Sequence, residues 1–362
     1  MGSPLKNQID AAAVERLAVQ LQHHTPDFPA HEFQRAATHG LEPLALKARV
    51  QHVARALRDA LPREWPDALG VLLVGMGPAL QGTDAVAEKM YLWPVLQAVE
   101  DHGLSHPQHS IRALPALTQR FSAEFAIRPY IEQHPDVAWP LLMAWTEHPN
   151  VHVRRLASEG CRPQLPWGRH LHGTISRGLA VIENLKDDPE RYVQRSVANH
   201  LNDVARIRRD TAMAVARRWA QRPTPARQWI LRHGLRSCIK AGDVEALALI
   251  GFAAPDVVVK SFVVSPHRVR KGEAVTLSAE IISRRRQSLM VDVAVDFCRS
   301  TGKRRKVFKG GVRRLEKGAS WTWSHRLSFR PISTRQYWAG RQDVTLQING
   351  HAMGCVHVDL RD

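Results

Sequence analysis

Cysteine is scarce in this chain. Its 362 residues hold four, Cys161, Cys238, Cys298 and Cys355, widely separated and with no CxxC pair. That pattern suggests neither a zinc site nor a disulfide framework; Cys298 and Cys355 could meet in a sheet, but the four read as free buried thiols. The 19 histidines form no HExxH and no zinc-finger spacing, so no metal site and no cofactor are expected. No stretch approaches the ~18 uninterrupted apolar residues of a membrane span. The opening MGSPLKNQIDAAAVERL lacks the apolar region of a signal peptide, and a cytosolic protein is expected. GMGP at 75–78 lacks the third glycine and the preceding strand of a nucleotide loop.

What the chain has is positive charge, +17 overall. From residue 255 onward there are 21 Lys and Arg against 9 Asp and Glu, so most of the excess lies at the C-terminal end. Such a surface attracts phosphate polymers or anionic membranes. With 44% hydrophobic residues the chain also has enough apolar material for a sizeable core in two domains.

Two textures divide it. Up to about residue 254, segments such as AAAVERLAVQLQHH, LALKARVQHVARALRDALP and TAMAVARRWAQR carry apolar residues at three- and four-residue spacing, the period of helices. Pro62, Pro66, Pro107, Pro149, Pro189 and Pro225 punctuate them. Past Pro255, VVVKSFVV, AVTLSAEII, LMVDVAVDF, WTWSHRLSF and DVTLQI alternate and are rich in β-branched and aromatic residues. RKGE, KGG and INGH separate them as turns, which predicts about seven short strands of an immunoglobulin-like sandwich. The expected domains are 1–254 and 255–362. ISRRRQS and STGKRRKVFKGGVRR read as loops or hairpin tips, placing Arg284, Arg285, Lys303, Arg304 and Arg305 where long basic side chains reach phosphates.

The helical half repeats. Arg120 and Glu124, Arg155 and Glu159, and Arg195 and Asn199 are pairs four residues apart, and Arg232 with Arg236 follows. Pro149 and Pro189 share a similar lead-in to two of them, and Asp203 falls on the helical face of Arg195 and Asn199. A repeat of ~35–40 residues with two helices per unit predicts an all-α HEAT-like solenoid followed by the all-β sandwich. The repeated face carries Arg120, Arg154, Arg155, Arg195, Arg232 and Arg236, suited to a phosphate backbone.

The acids on that face need a reason, since acids repel DNA. Glu124 and Glu159 read either as partners that orient the arginines four residues away or as groups that stabilise a cation. Cleavage of an N-glycosidic bond develops positive charge on the sugar, and an alkylated base is already cationic. Trp167, in CRPQLPWG, and Tyr130 and Tyr192 flank these segments, where an aromatic face can meet a sugar or a cationic base.

RFSAEFAIRPYI, EHPNVHVRRLASEGCRPQLPWG and ERYVQRSVANHLND, with LEPLALKARVQHVARAL upstream, together resemble the AlkC-type DNA alkylation-repair glycosylases, relatives of the AlkD-type enzymes. The basic β-region resembles the immunoglobulin-like appendage of part of that branch. The resemblance implies excision of cationic N-alkyl bases such as 3-methyladenine and 3-methylcytosine from duplex DNA. It implies no metal and no flipping of the lesion into a pocket. It carries the catalytic carboxylates to Glu124, Glu159 and Asp203, with Trp167 and Arg155 beside them. The Asp203 repeat departs from the pattern, with Asn199 where the others have glutamate. A monomer in the bacterial cytosol, with alkylated duplex DNA as partner, no membrane and no obligate protein partner, is the resulting expectation. The competing readings are a DNA-shape-binding protein without catalysis, which needs none of the three acids, and a protein-interaction scaffold.

Overall fold

The computed structural model describes residues 5–331 and 336–362. Among them lie fifteen α-helices, the first Ala11–His24 and the last Val244–Leu249, followed by eight strands. No described helix is long and apolar enough to cross a membrane. The helices follow the apolar spacing. Ala11–His24 buries Val14, Leu17, Ala18 and Leu21 on one face, and the Asp10 carboxylate caps it by accepting from the Ala13 amide at 2.9 Å. Val151–Gly160 buries Val153, Leu156 and Ala157, capped by Asn150. Arg191–Ile207 buries Val193, Val197, Leu201 and Val204. Pro107 and Pro225 open helices, as punctuation predicts, while Pro115 and Pro140 lie inside them.

Two compact units emerge. One runs to Val204 and takes in Thr224–Ile230; the other comprises Ala205–Pro223 and Leu231–Asp362. Within the second unit, the change from helix to strand falls between Leu249 and Val257.

The strands are β1 Val257–Ser265, β2 Arg268–Arg270, β3 Ala274–Ser283, β4 Gln287–Cys298, β5 Lys303–Leu315, β6 Ser320–Ser328, β7 Gly340–Ile348 and β8 His351–Arg361. They form a three-stranded sheet, β1-β3-β6, and a five-stranded sheet, β2-β8-β7-β4-β5. Leu277, Ile281, Val293, Trp323, Phe329 and Leu346 are among the side chains of the shared core. INGH is the β7–β8 turn, with Asn349 and Gly350 both at positive φ.

KGG is not a turn. It lies within β5, where Val291 pairs with Gly311 and Asp292 with Lys309, leaving Gly310 as a bulge. The Trp323 indole donates to the Gly310 carbonyl at 3.0 Å, and a Cβ on Gly310 would stand 2.7 Å from that ring. The expected hairpin tip therefore shrinks to 299–302, and Lys303, Arg304 and Arg305 are exposed on an edge strand. Arg284 and Arg285 do occupy a turn, between β3 and β4.

Candidate active site

Three segments of the first unit meet: the loop 119–127, the end of helix Val151–Gly160 with the loop after it, and the middle of helix Arg191–Ile207. They bring together an alternating line of charge. Glu124 Oε2 lies 2.7 Å from Arg155 Nη1, and Arg155 Nη2 lies 3.8 Å from Glu159 Oε1. Arg162 Nη1 is 2.5 Å from the same Glu159 oxygen, and Arg162 Nε is 2.9 Å from Asp203 Oδ2. Three carboxylates share two guanidinium groups, a net charge of −1.

Burial sorts the acids. The Glu159 and Asp203 side chains are 6% and 5% exposed, whereas Glu124 is 15% exposed. Burial alone would raise Glu159, but Arg155 and Arg162 on either side outweigh it and hold the carboxyl below its usual range. Asp203 has one arginine, and there burial prevails: its carboxyl is pushed above the ordinary value although Arg162 pulls the other way. Burial likewise works against the charge of Arg155, and Glu124 and Glu159 more than reverse it. Taking such ions out of water costs several kcal/mol each in general, and removing one partner typically costs about 3–5 kcal/mol. A packed apolar cluster would be the cheaper core, so the array is a poor device for stability.

Glu124 faces a cavity of about 390 Å³, lined also by Trp93, Phe121, Ser122, Phe125, Arg155, Trp167 and Tyr192. Ser122 Oγ donates to Glu124 at 2.6 Å and accepts from Arg155 Nη1 at 2.8 Å. Trp93 and Phe125 stack at 5.1 Å, and the Trp167 ring stands 6.4 Å from Trp93. The Arg155 guanidinium lies 4.9 Å over the Tyr192 ring. Trp167 is 61% exposed, with φ of 61°. A non-glycine residue there stores about 1–2 kcal/mol of strain, which the surrounding loop must hold.

The other predicted residues fall elsewhere. Tyr130 is fully buried, its hydroxyl donating to the Val99 carbonyl at 3.2 Å, and it does not line the cavity. Arg120 and Glu124 do not share a helix. Helix Pro107–Thr118 has ended, and Phe121, Ala123 and Phe125 are buried at two-residue spacing, which one helical face cannot provide. Arg120 instead donates to the carbonyls of Gly77 and Ala116, at 2.6 and 2.7 Å. Arg154 pairs with Asp188 at 2.7 Å and donates to the His148 and Pro149 carbonyls. Arg195 is exposed, whereas Asp203, about 80° further round the same helix, is buried. In the second unit Arg232 and Arg236 are exposed, Lys303 pairs with Asp343 and Arg305 with Asp296. Among the described residues no group of three or more His, Cys, Asp or Glu is placed to hold a metal ion.

Reading the sequence missed Arg162, Ser122, Trp93 and Phe125. Arg162 stands in the quoted CRPQLPWG segment, but its partner Asp203 is 41 residues away, beyond any local spacing rule.

Fold and site together define a helical protein with an appended Ig-like sandwich and an acidic, aromatic cleft in its helical part. A family model described as "Uncharacterised protein YhaZ, C-terminal Ig-like domain" matches residues 258–362. The protein YhaZ of Bacillus subtilis strain 168 is 35% identical over 346 residues, covering 93% of this chain and 94% of the relative. The solved structure of the Pseudomonas fluorescens alkylpurine DNA glycosylase AlkC, bound to DNA containing an abasic site analog, superposes with a TM-score of 0.86. It is 31% identical, over 99% of this chain and all of that one. The chain belongs to the family that contains AlkC and YhaZ.

Proposed function

We propose that this protein is a monofunctional DNA glycosylase that hydrolyses the N-glycosidic bond of cationic alkylated bases, 3-methyladenine and 3-methylcytosine, in duplex DNA. The observation that carries the reading is the charge line, net −1, whose outer member Glu124 faces an aromatic cavity. Membership of the AlkC family supports it independently.

The chemistry is dissociative. The glycosidic electron pair leaves with the base, which departs neutral, so no acid is needed to protonate it. Positive charge moves onto the deoxyribose, where Glu124 stabilises it. Water adds to C1′, and its proton passes to the Glu124 carboxylate and on to solvent. Ser122 and Arg155 fix the carboxylate, while Glu159 and Asp203 hold Arg155 and Arg162. Trp167 and Tyr192 offer ring faces to the sugar or the cationic base. Neutral bases leave too slowly for so modest a catalyst, so lability selects the substrate, and the lesion need not be flipped into an enclosing pocket.

In this reading the helices act as HEAT-like repeats along the duplex through 1–254, and the basic sandwich, 255–362, holds phosphates. The enzyme works as a monomer in the bacterial cytosol. Single-turnover incubation with a duplex carrying one 3-methyladenine tests it: free base and an abasic site are expected. Tight binding with no base released would leave a DNA-shape-binding protein instead.

A further inference from the structure

Arg128 is fully buried, and all of its hydrogen bonds go to main-chain carbonyls. Nη1 donates to Gly160 O at 2.7 Å, Nη2 to Arg162 O at 2.9 Å and Arg169 O at 2.5 Å, and Nε to Arg169 O at 2.8 Å. A buried guanidinium usually faces a carboxylate, and among the described residues none is hydrogen-bonded to this one. Burial pushes it down to about 10, still protonated at neutral pH.

The carbonyls it gathers are not scattered. Gly160 ends the helix that carries Arg155 and Glu159, and Arg162 bridges Glu159 to Asp203. Arg169 follows the turn that holds Trp167 at positive φ. One planar fork therefore ties the end of the charged line's helix to the segment just after the exposed ring. Close packing sets the reach: a Cβ on Gly160 would stand 2.5 Å from Ile127, the residue before Arg128. The Arg169 side chain adds a second tie, at 3.0 Å from Glu132 in the helix Arg128–Gln133 that Arg128 opens.

We propose that Arg128 is a positioning residue for the glycosylase reaction, clamping 160–169 so that Arg162 and Trp167 are preorganised before DNA arrives. This rests on the reading given above. Lysine keeps the charge but cannot reproduce a fork that binds three carbonyls, and a misplacement of ~1 Å can cost about 10²-fold in rate.

The test uses the full chain labelled with 5-fluorotryptophan, the Trp167 resonance being assigned by its loss in Trp167→Phe. In Arg128→Lys the Trp167 resonance should broaden or split, and the single-turnover rate at saturating enzyme should fall about 10–100-fold. Half-saturation should change less. Adding Trp167→Ala to Arg128→Lys should cost less than Trp167→Ala costs alone, because the ring is already misplaced. In Arg128→Gly, millimolar guanidinium, but not equal sodium chloride, should restore the resonance and part of the rate. An unchanged Trp167 resonance, or losses that simply multiply, would overturn the proposal. Loss of cooperative unfolding in both variants would make Arg128 a folding residue and would overturn it too. A wild-type chain that releases no base would remove the glycosylase reading, while the resonance would still report whether Arg128 sets Trp167.

Discussion

Arg162 grips Asp203 with two nitrogens, Nε to Oδ2 at 2.9 Å and Nη2 to Oδ1 at 3.3 Å, across 41 residues of chain. The pair is nearly closed to solvent. Arg162→Lys should lose the bidentate geometry, cutting single-turnover excision about 10–100-fold and lowering the melting temperature. Asp203→Asn and Glu159→Gln should each cost at least ~10²-fold with little loss of DNA affinity. Wild-type rates in these variants would take the inner line out of the mechanism.

Glu124→Gln should be at least as damaging, because Glu124 is the carboxylate that faces the cavity. Glutamine keeps the shape and removes the charge. The expected loss is about 10²–10³-fold in the excision rate, measured on a defined methylated duplex, with binding within a few-fold of wild type. A loss below tenfold would show that the outer acid only holds Arg155.

His200 sets a pH limit. It is fully buried, its Nδ1 lies 3.2 Å from the Ser158 carbonyl, and burial pushes it down to about 4 from an ordinary 6.5. Between those values the unfolded chain binds the proton and the native one does not. Stability therefore declines as pH falls from about 6.5 to about 4, by on the order of 3 kcal/mol from this group. Melting temperatures of wild type and His200→Gln across that window check it: the variant should show a shallower acid slope.

The basic sandwich should contribute through charge rather than base recognition. Lys303 and Arg305 each have an acidic partner on the sheet, while Arg284 and Arg304 are exposed with no ion pair among the described residues. Arg284→Ala and Arg304→Ala should weaken binding to any duplex alike. Each should make the plot of log K against log salt shallower by about one unit per lost phosphate contact. Fluorescence anisotropy at several salt concentrations measures this, and an unchanged slope would assign the basic loops to another partner.

Gly310→Ala should destabilise the sandwich by about 1–3 kcal/mol, since the added methyl would meet the Trp323 ring at 2.7 Å and the Val291 carbonyl at 2.8 Å. Chemical denaturation of the full chain is the measurement.

Much of the architecture was legible because burial imposes a period. The Val153, Leu156 and Ala157 face and the alternation in β3 are read directly from spacing. β5 was hidden because an edge strand is little constrained by a core: of its 13 residues only Leu315 is buried, so its lysines and arginines look like loop. Glu124 and Glu159 stood out as a repeated spacing and Asp203 only by its helical face, and their pairing was not legible. Arg120 and Glu124 look like a helical pair and are not one, because Phe121, Ala123 and Phe125 pull that segment out of helix. Arg162 and Arg128 gave no signal at all, since nothing local distinguishes a buried arginine from the many solvated ones.

The negative line also stands inside a molecule whose overall charge is +17. At long range a polyanion is drawn most strongly to the residues from 255 onward, where most of that charge lies. Beside Glu124 the guanidinium groups of the line are already engaged, Arg155 by Glu124 and Glu159 and Arg162 by Glu159 and Asp203, so a phosphate placed there would meet a carboxylate first. Under the proposed function, a duplex would have to present something other than phosphate to Glu124. The groups admitted there are those without negative charge: a deoxyribose face or a base, and most readily one that carries a positive charge. The carboxylates would thus favour a cationic base over a neutral one before any bond is broken.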